Sequence, residues 1–156
     1  MKALIIYDSV HGNTEKVANA IGQGIHSEVK VLKVSEADSV DLKTYNLVII
    51  GSPTHGGRPT QALQNYFNNL ADNSLEGVEV TAFDTRFKAF WVKIFGFAAG
   101  RIADVLKSKG GHLVEAHMGF FVEGREGPLL DGELDRATNW GKTILENLGN
   151  RCARRI

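Results

Sequence analysis

Two segments of the chain are apolar at every position, Ala3–Tyr7 (ALIIY) and Leu47–Ile50 (LVII). A strand with one wet face alternates apolar and polar residues, so an unbroken apolar run marks a strand covered on both faces. The stretches between such runs have a different period. From Thr14 to Ile25, Val17, Ala18, Ile21 and Ile25 recur at helical spacing. Pro59 can sit at the first turn of a helix carrying Ala62, Leu63, Tyr66, Phe67 and Leu70. Ala98–Leu106 reads as another helix, and Asp131 can cap a last one bearing Leu134, Ala137, Trp140, Ile144 and Leu148. Val29–Val34 alternates like an edge strand, Val78–Phe83 is a fourth strand, and His112–Val122 contains a fifth, interrupted near Gly119. Ser35–Tyr45 is too polar for a full helix. Strands alternating with helices in this way predict an α/β fold: a parallel sheet, right-handed crossovers and helices on both faces.

A chain of 156 residues fits one domain, here taken as 1–150, with Arg151–Ile156 as a frayed basic tail. The formal net charge is zero, so no global field points to nucleic acid or to an anionic membrane. The single cysteine, Cys152, excludes an internal disulfide and a thiolate metal cluster, which suits a reducing compartment. Five apolar residues after Met1-Lys2 are too few for a signal-peptide core or a membrane span, and the cytoplasm is the expected location. The histidines His11, His26, His55, His112 and His117 show no metal-ligand spacing.

In a doubly wound sheet the ligand lies outside the carboxyl ends of the strands. Three segments meet that condition. Ser9-Val10-His11-Gly12-Asn13-Thr14 follows the first strand and opens directly into a helix. Small polar side chains and free backbone N–H groups at a helix N-terminus form an anion site, although Ser9 or Asn13 can equally serve as an ordinary cap. Neither GxxxxGK[ST] nor GxGxxG occurs, which argues against a P-loop and against a dinucleotide turn. Gly51-Ser52-Pro53-Thr54-His55-Gly56-Gly57-Arg58-Pro59 follows the third strand; its adjacent glycines suit close approach to a flat ligand or simply a tight turn.

Together, YDSVHGNTEKVA and GSPTHGGRP resemble the flavodoxin family, and the order of elements extends the resemblance over nearly the whole chain. The resemblance implies a flavodoxin-like three-layer sandwich, with a five-stranded parallel sheet of order 2-1-3-4-5 and bound FMN. It implies that Ser9, Val10, His11, Gly12, Asn13 and Thr14 wrap the FMN phosphate. Pro53, Thr54, His55, Gly56 and Gly57 would lie along the isoalloxazine, with the Gly56–Gly57 peptide near N5. His55 stands where many relatives carry an aromatic ring, and it adds a titratable group.

The third segment runs from Asp84 to Phe97. By the same resemblance, Asp84, Thr85, Arg86 and Phe87 are candidates for the pyrimidine edge of the ring. Phe87, Phe90 and Trp91 compete for the stacking position. Phe87, Phe90, Trp91, Ile94 and Phe95 also fall at helical spacing, so this stretch reads equally as an amphipathic turn packing into its own core, as a substrate mouth, or as a homodimer contact over 87–97. Arg58, Arg86, Lys88 and Lys93 outnumber Asp84 here, which predicts a positive field at the ring if they turn inward. Glu123–Pro128 reads as a turn without assignable chemistry.

The leading function is an FMN-binding electron-transfer flavoprotein that serves a redox partner protein or a small electron acceptor. The alternatives are an FMN-dependent NAD(P)H or quinone oxidoreductase, and a flavin-free binding or structural protein of the same fold. No side chain stands out as a catalytic acid or base.

Overall fold

The computed structural model describes residues 1–88 and 97–156. The elements are β1 (Lys2–Tyr7), α1 (Asn13–Gly24), β2 (Glu28–Lys33), β3 (Leu47–Pro53), α2 (Gln61–Asn69), β4 (Glu79–Phe87), α3 (Ala98–Ser108), β5 (His112–Leu113), β6 (Met118–Val122) and α4 (Glu133–Arg154). All strands are parallel, in the order β2-β1-β3-β4-β5, and β6 continues beside β4 beyond β5. The fifth position is thus filled by two short strands. Residues 114–117 separate them, ahead of Gly119, where the interruption was expected.

The alternation of side chains along the strands sorts the core into two layers. Leu4, Ile6, Val48, Ile50, Val80 and Ala82 pack with Leu63, Tyr66 and Phe67 of α2 and with Ile102 and Leu106 of α3. On the other face, Ala3, Ile5, Leu47, Ile49 and Phe83 pack with Val17 and Ile21 of α1 and with Ala137, Trp140 and Ile144 of α4. Every named residue of β1 and β3 is fully buried, as the unbroken apolar runs require. Helices α1 and α4 cross unusually closely. A Cβ on Gly24 would stand 2.0 Å from the Thr138 carbonyl oxygen, and one on Gly141 would stand 2.4 Å from that of Ile21. Only glycine fits at either position.

Several boundaries differ from the sequence reading. Pro59, expected in the first turn of α2, lies just before it; Thr60 caps the helix, its hydroxyl accepting the Leu63 N–H. Gly132, in a left-handed conformation at φ 84°, occupies the capping position of α4, so Asp131 lies one residue outside the cap. Ser35–Tyr45 holds only single 3-10 turns at Val34–Glu36 and Leu42–Thr44. The final helix runs on to Arg154, well into the segment expected to fray. Arg151 is the reason: it donates to Glu79 at 3.1 Å and to the Leu113 carbonyl at 2.9 Å, fastening the helix to the edge of the sheet.

Candidate functional site

At the carboxyl ends of β1, β3 and β4 lies a cavity of about 400 Å³. That is within the range of small-molecule and cofactor sites.

The loop after β1 forms one wall. Gly12 stands at φ 91°, and its N–H donates to Ser9 Oγ at 3.0 Å. Asp8 Oδ1 in turn accepts the Ser9 N–H at 2.9 Å. These bonds fold the loop into a tight arch that ends in α1. Because the capping residue is a glycine, no side chain caps the helix. The N–H groups of Asn13, Thr14 and Glu15 therefore lack the intrahelical acceptors that later residues have. They open toward the cavity at the positive end of the helix. Ser9, Val10, His11, Asn13 and Thr14 all line this wall. The Thr14 hydroxyl also shares a buried 2.9 Å hydrogen bond with that of Thr85, tying the loop to β4 across the cavity floor.

The β3–α2 connection forms the second wall, through Pro53, Thr54, His55 and Gly56. His55 and Arg58 exchange backbone hydrogen bonds of 2.8 and 3.0 Å around a two-residue turn. Gly56 and Gly57 occupy that turn at φ 56° and 78°. Two successive positive φ values are the requirement of a type I′ turn, and glycine meets it without strain. The Gly57 carbonyl accepts from Arg101 Nε at 2.8 Å, which holds the turn against α3.

The end of β4 supplies Thr85, Arg86 and Phe87. Asp84 is not at the cavity. It is fully buried, and its carboxylate receives Arg86 Nε at 2.6 Å and Nη2 at 2.8 Å. The same carboxylate accepts the Ala99 N–H at 2.9 Å, while Thr54 Oγ1 accepts that of Ala98, so β4 and the residue after β3 together satisfy the first N–H groups of α3. Burial pushes the Asp84 carboxyl above the usual carboxylate range, against the opposing pull of Arg86 and the Ala99 N–H. The Arg86 guanidinium lies 3.5 Å from the Phe97 ring centroid and presses on Gly119, where a Cβ would come within 2.1 Å of Nε.

The expected positive field needs correction on these grounds. Asp84 cancels the Arg86 charge, Arg58 and Lys88 are exposed, and Lys93 lies outside the described residues. Phe90, Trp91, Ile94 and Phe95 lie there too, along with most of the proposed 87–97 contact; of the stacking candidates, Phe87 borders the cavity. Three expected site residues therefore shape the cavity without lining it: Gly12 turns the loop, Gly57 turns the second wall and Asp84 anchors Arg86. Two lining residues were missed, Val122 and Arg125. The available signal was topological, since a loop leaving the last parallel strand emerges at the ligand edge whatever its composition.

Fold and cavity define an α/β protein that takes a flat, anionic ligand at the carboxyl edge of its sheet. The chain belongs to the flavodoxin family, whose model (Flavodoxin) matches residues 5–140. It is similar to a flavodoxin of Aquifex aeolicus (33% identical over 73 residues; 44% of this chain, 40% of the relative). It is also similar to one of Clostridium saccharobutylicum (30% over 89 residues; 54% and 56%). The chain thus spans about half the length of these curated relatives. Among solved structures, oxidised Flavodoxin 2 from Bacillus cereus superposes with TM-score 0.79 at 23% identity, covering 94% of this chain and 99% of that one. A flavodoxin from the domain Archaea gives TM-score 0.76 at 22% identity, covering 96% and 99%. Flavodoxins bind FMN, and the residues present fit it. Uncapped N–H groups and hydroxyls suit a phosphate, and a glycine turn beside Phe87 suits a planar ring.

Proposed function

We propose that this protein carries electrons between redox partners, with FMN held in the cavity as the active group. The observation that carries the reading is the uncapped start of α1, whose free N–H groups share one cavity with the Gly56–Gly57 turn and with Phe87. In this reading the phosphate is bound by the Ser9 hydroxyl, which accepts the Gly12 N–H and keeps its own proton to donate, and by the N–H groups of residues 10, 11 and 13–15. Thr14 keeps its hydroxyl against Thr85 and orients the first turn of the helix. Pro53–Gly56 lie along one side of the ring, where the absence of a side chain on Gly56 lets the backbone come close. Arg86, fixed by Asp84, walls the cavity from water. Bound FMN supplies the redox chemistry, and the protein supplies binding and electrostatics. His55 is exposed at the rim.

The partner in this reading is a redox protein or a small electron acceptor. No described helix is long and apolar enough to cross a membrane. The test is to reconstitute the purified protein with FMN, measure stoichiometry by absorbance, and titrate with a chemical reductant anaerobically. One FMN per chain, reduced reversibly and with no NAD(P)H oxidation in the presence of a quinone, is the expected result. Steady NAD(P)H oxidation would reassign the protein as a reductase. A colourless protein that ignores added FMN would overturn the reading altogether.

A further inference from the structure

The loop between β6 and α4 reaches the cavity through one residue, the exposed Arg125. It is a compact hairpin. The Gly127 N–H donates to the Gly124 carbonyl at 3.0 Å, and the Glu123 N–H donates to the Pro128 carbonyl at 2.9 Å, which leaves Arg125 and Glu126 at the tip. The tip is fastened to the phosphate-loop wall, not to the ring side. Asn13, the first residue of α1, donates its Nδ2 to the Glu126 carbonyl at 3.1 Å. Gly127 packs so tightly on the same side chain that a Cβ would come within 2.7 Å of Nδ2. The hairpin tip is therefore held at the end of the cavity where α1 starts.

Charge makes Arg125 distinctive. Arg86, the other cavity-lining arginine, is matched by Asp84, and Arg101 is occupied at Gly57. Among the described residues Arg125 has no ion-pair or hydrogen-bond partner, although Glu123 and Glu126 are its near neighbours in sequence. Apart from His11, the phosphate-loop wall lines the cavity with hydroxyls and backbone N–H groups, which carry no formal charge. A phosphate monoester there carries close to two negative charges near neutral pH and would leave the site unbalanced.

We infer that Arg125 is a cofactor-binding residue that pairs its guanidinium with the phosphate of FMN. Resting on the proposed FMN site, this makes the β6–α4 hairpin a fourth wall of that site, and it makes Arg125 the residue that sets preference for the phosphorylated flavin.

The experiment titrates the apoprotein with FMN and with riboflavin, following flavin fluorescence, for the parent chain, Arg125→Ala and Arg125→Lys at low and high salt. The inference expects Arg125→Ala to weaken FMN about tenfold at low salt, the scale of one charge-assisted hydrogen bond partly open to water. Riboflavin binding should stay the same, Arg125→Lys should recover most of the loss, and the FMN effect should shrink as salt rises. The 31P resonance of bound FMN should also move between parent and Arg125→Ala. If the parent prefers FMN but Arg125→Ala binds both flavins as the parent does, the inference fails and the phosphate site stands. An equal loss for both flavins overturns it as well, by placing Arg125 at the ring. If the parent itself binds FMN and riboflavin equally, the phosphate site falls and the inference with it.

Discussion

The loop after β1 meets the cavity with donors that have no partner inside the protein, whereas the end of β4 meets it with charges already matched. On the first wall, the N–H groups of residues 13–15 wait at an uncapped helix end. On the other, Arg86 spends its Nε and Nη2 on Asp84 and its flat face on Phe97. One wall is arranged for a ligand and is tied to its neighbours by the neutral Thr14–Thr85 and Asn13–Glu126 bonds. The other holds the fold and offers the ligand a finished surface. Lesions in β4 should therefore appear first as lost stability, and lesions in the loop first as lost flavin affinity.

The sharpest way to break this contrast is Asp84→Ala. It strands a largely buried guanidinium and uncaps Ala99, and it should cost about 3–5 kcal/mol in urea unfolding, as breaking one side of a buried pair does. If the loss is under about 1 kcal/mol, β4 is not the structural wall. Glu133 buttresses the same side: it accepts the Phe121 N–H at 2.7 Å and Arg136 Nε at 2.9 Å. Burial acts to raise its carboxyl, but Arg136 and the Phe121 N–H outweigh it, and the net direction is down. The resulting stability is present above the ordinary carboxylate range near about 4.3 and is lost as pH falls through the lower folded value. Glu133→Gln should cost about 2 kcal/mol at neutral pH, and the gap from the parent should narrow in acid, as read from urea curves at several pH values. Gly119→Ala pushes a methyl into the Arg86 guanidinium and should cost about 1–2 kcal/mol by the same assay. Thr14→Val is the smallest lesion, about 1 kcal/mol for one neutral buried hydrogen bond. Because Thr14 spans both walls, its loss should register in FMN affinity as well as in the melting temperature; a change in stability alone would place Thr14 wholly with β4.

The same contrast explains what the sequence made legible. The loop wall was readable because its parts are contiguous: Ser9, Gly12 and the start of a helix lie within a few residues. The β4 wall was hidden by its polarity. Asp84, Thr85 and Arg86 do not look like strand, so the strand was ended at Phe83, whereas pairing with β3 and β6 carries it to Phe87. Once the strand extends, period-two geometry puts Asp84 and Arg86 on one face and Thr85 on the other, facing Thr14. Arg125 was invisible for a different reason. Its approach to the cavity depends on Asn13, more than a hundred residues earlier, holding the hairpin down. The two-layer core was legible in β1 and β3, where burial on both faces leaves an unbroken apolar run, whereas the sheet order came from the family resemblance and not from any strand's own pattern.

The close crossing of α1 and α4 gives the cavity a fulcrum. The Gly24 contact sits at the carboxyl end of α1, and its amino end carries the phosphate loop. Eleven residues at 1.5 Å rise make an arm of about 16 Å, so a tilt of about 10° at the crossing would swing Asn13 by about 3 Å. A displacement of that size exceeds the length of a hydrogen bond's tolerance several times over. The two glycines far from the ligand thus act as the bearing on which the alignment of the binding loop depends.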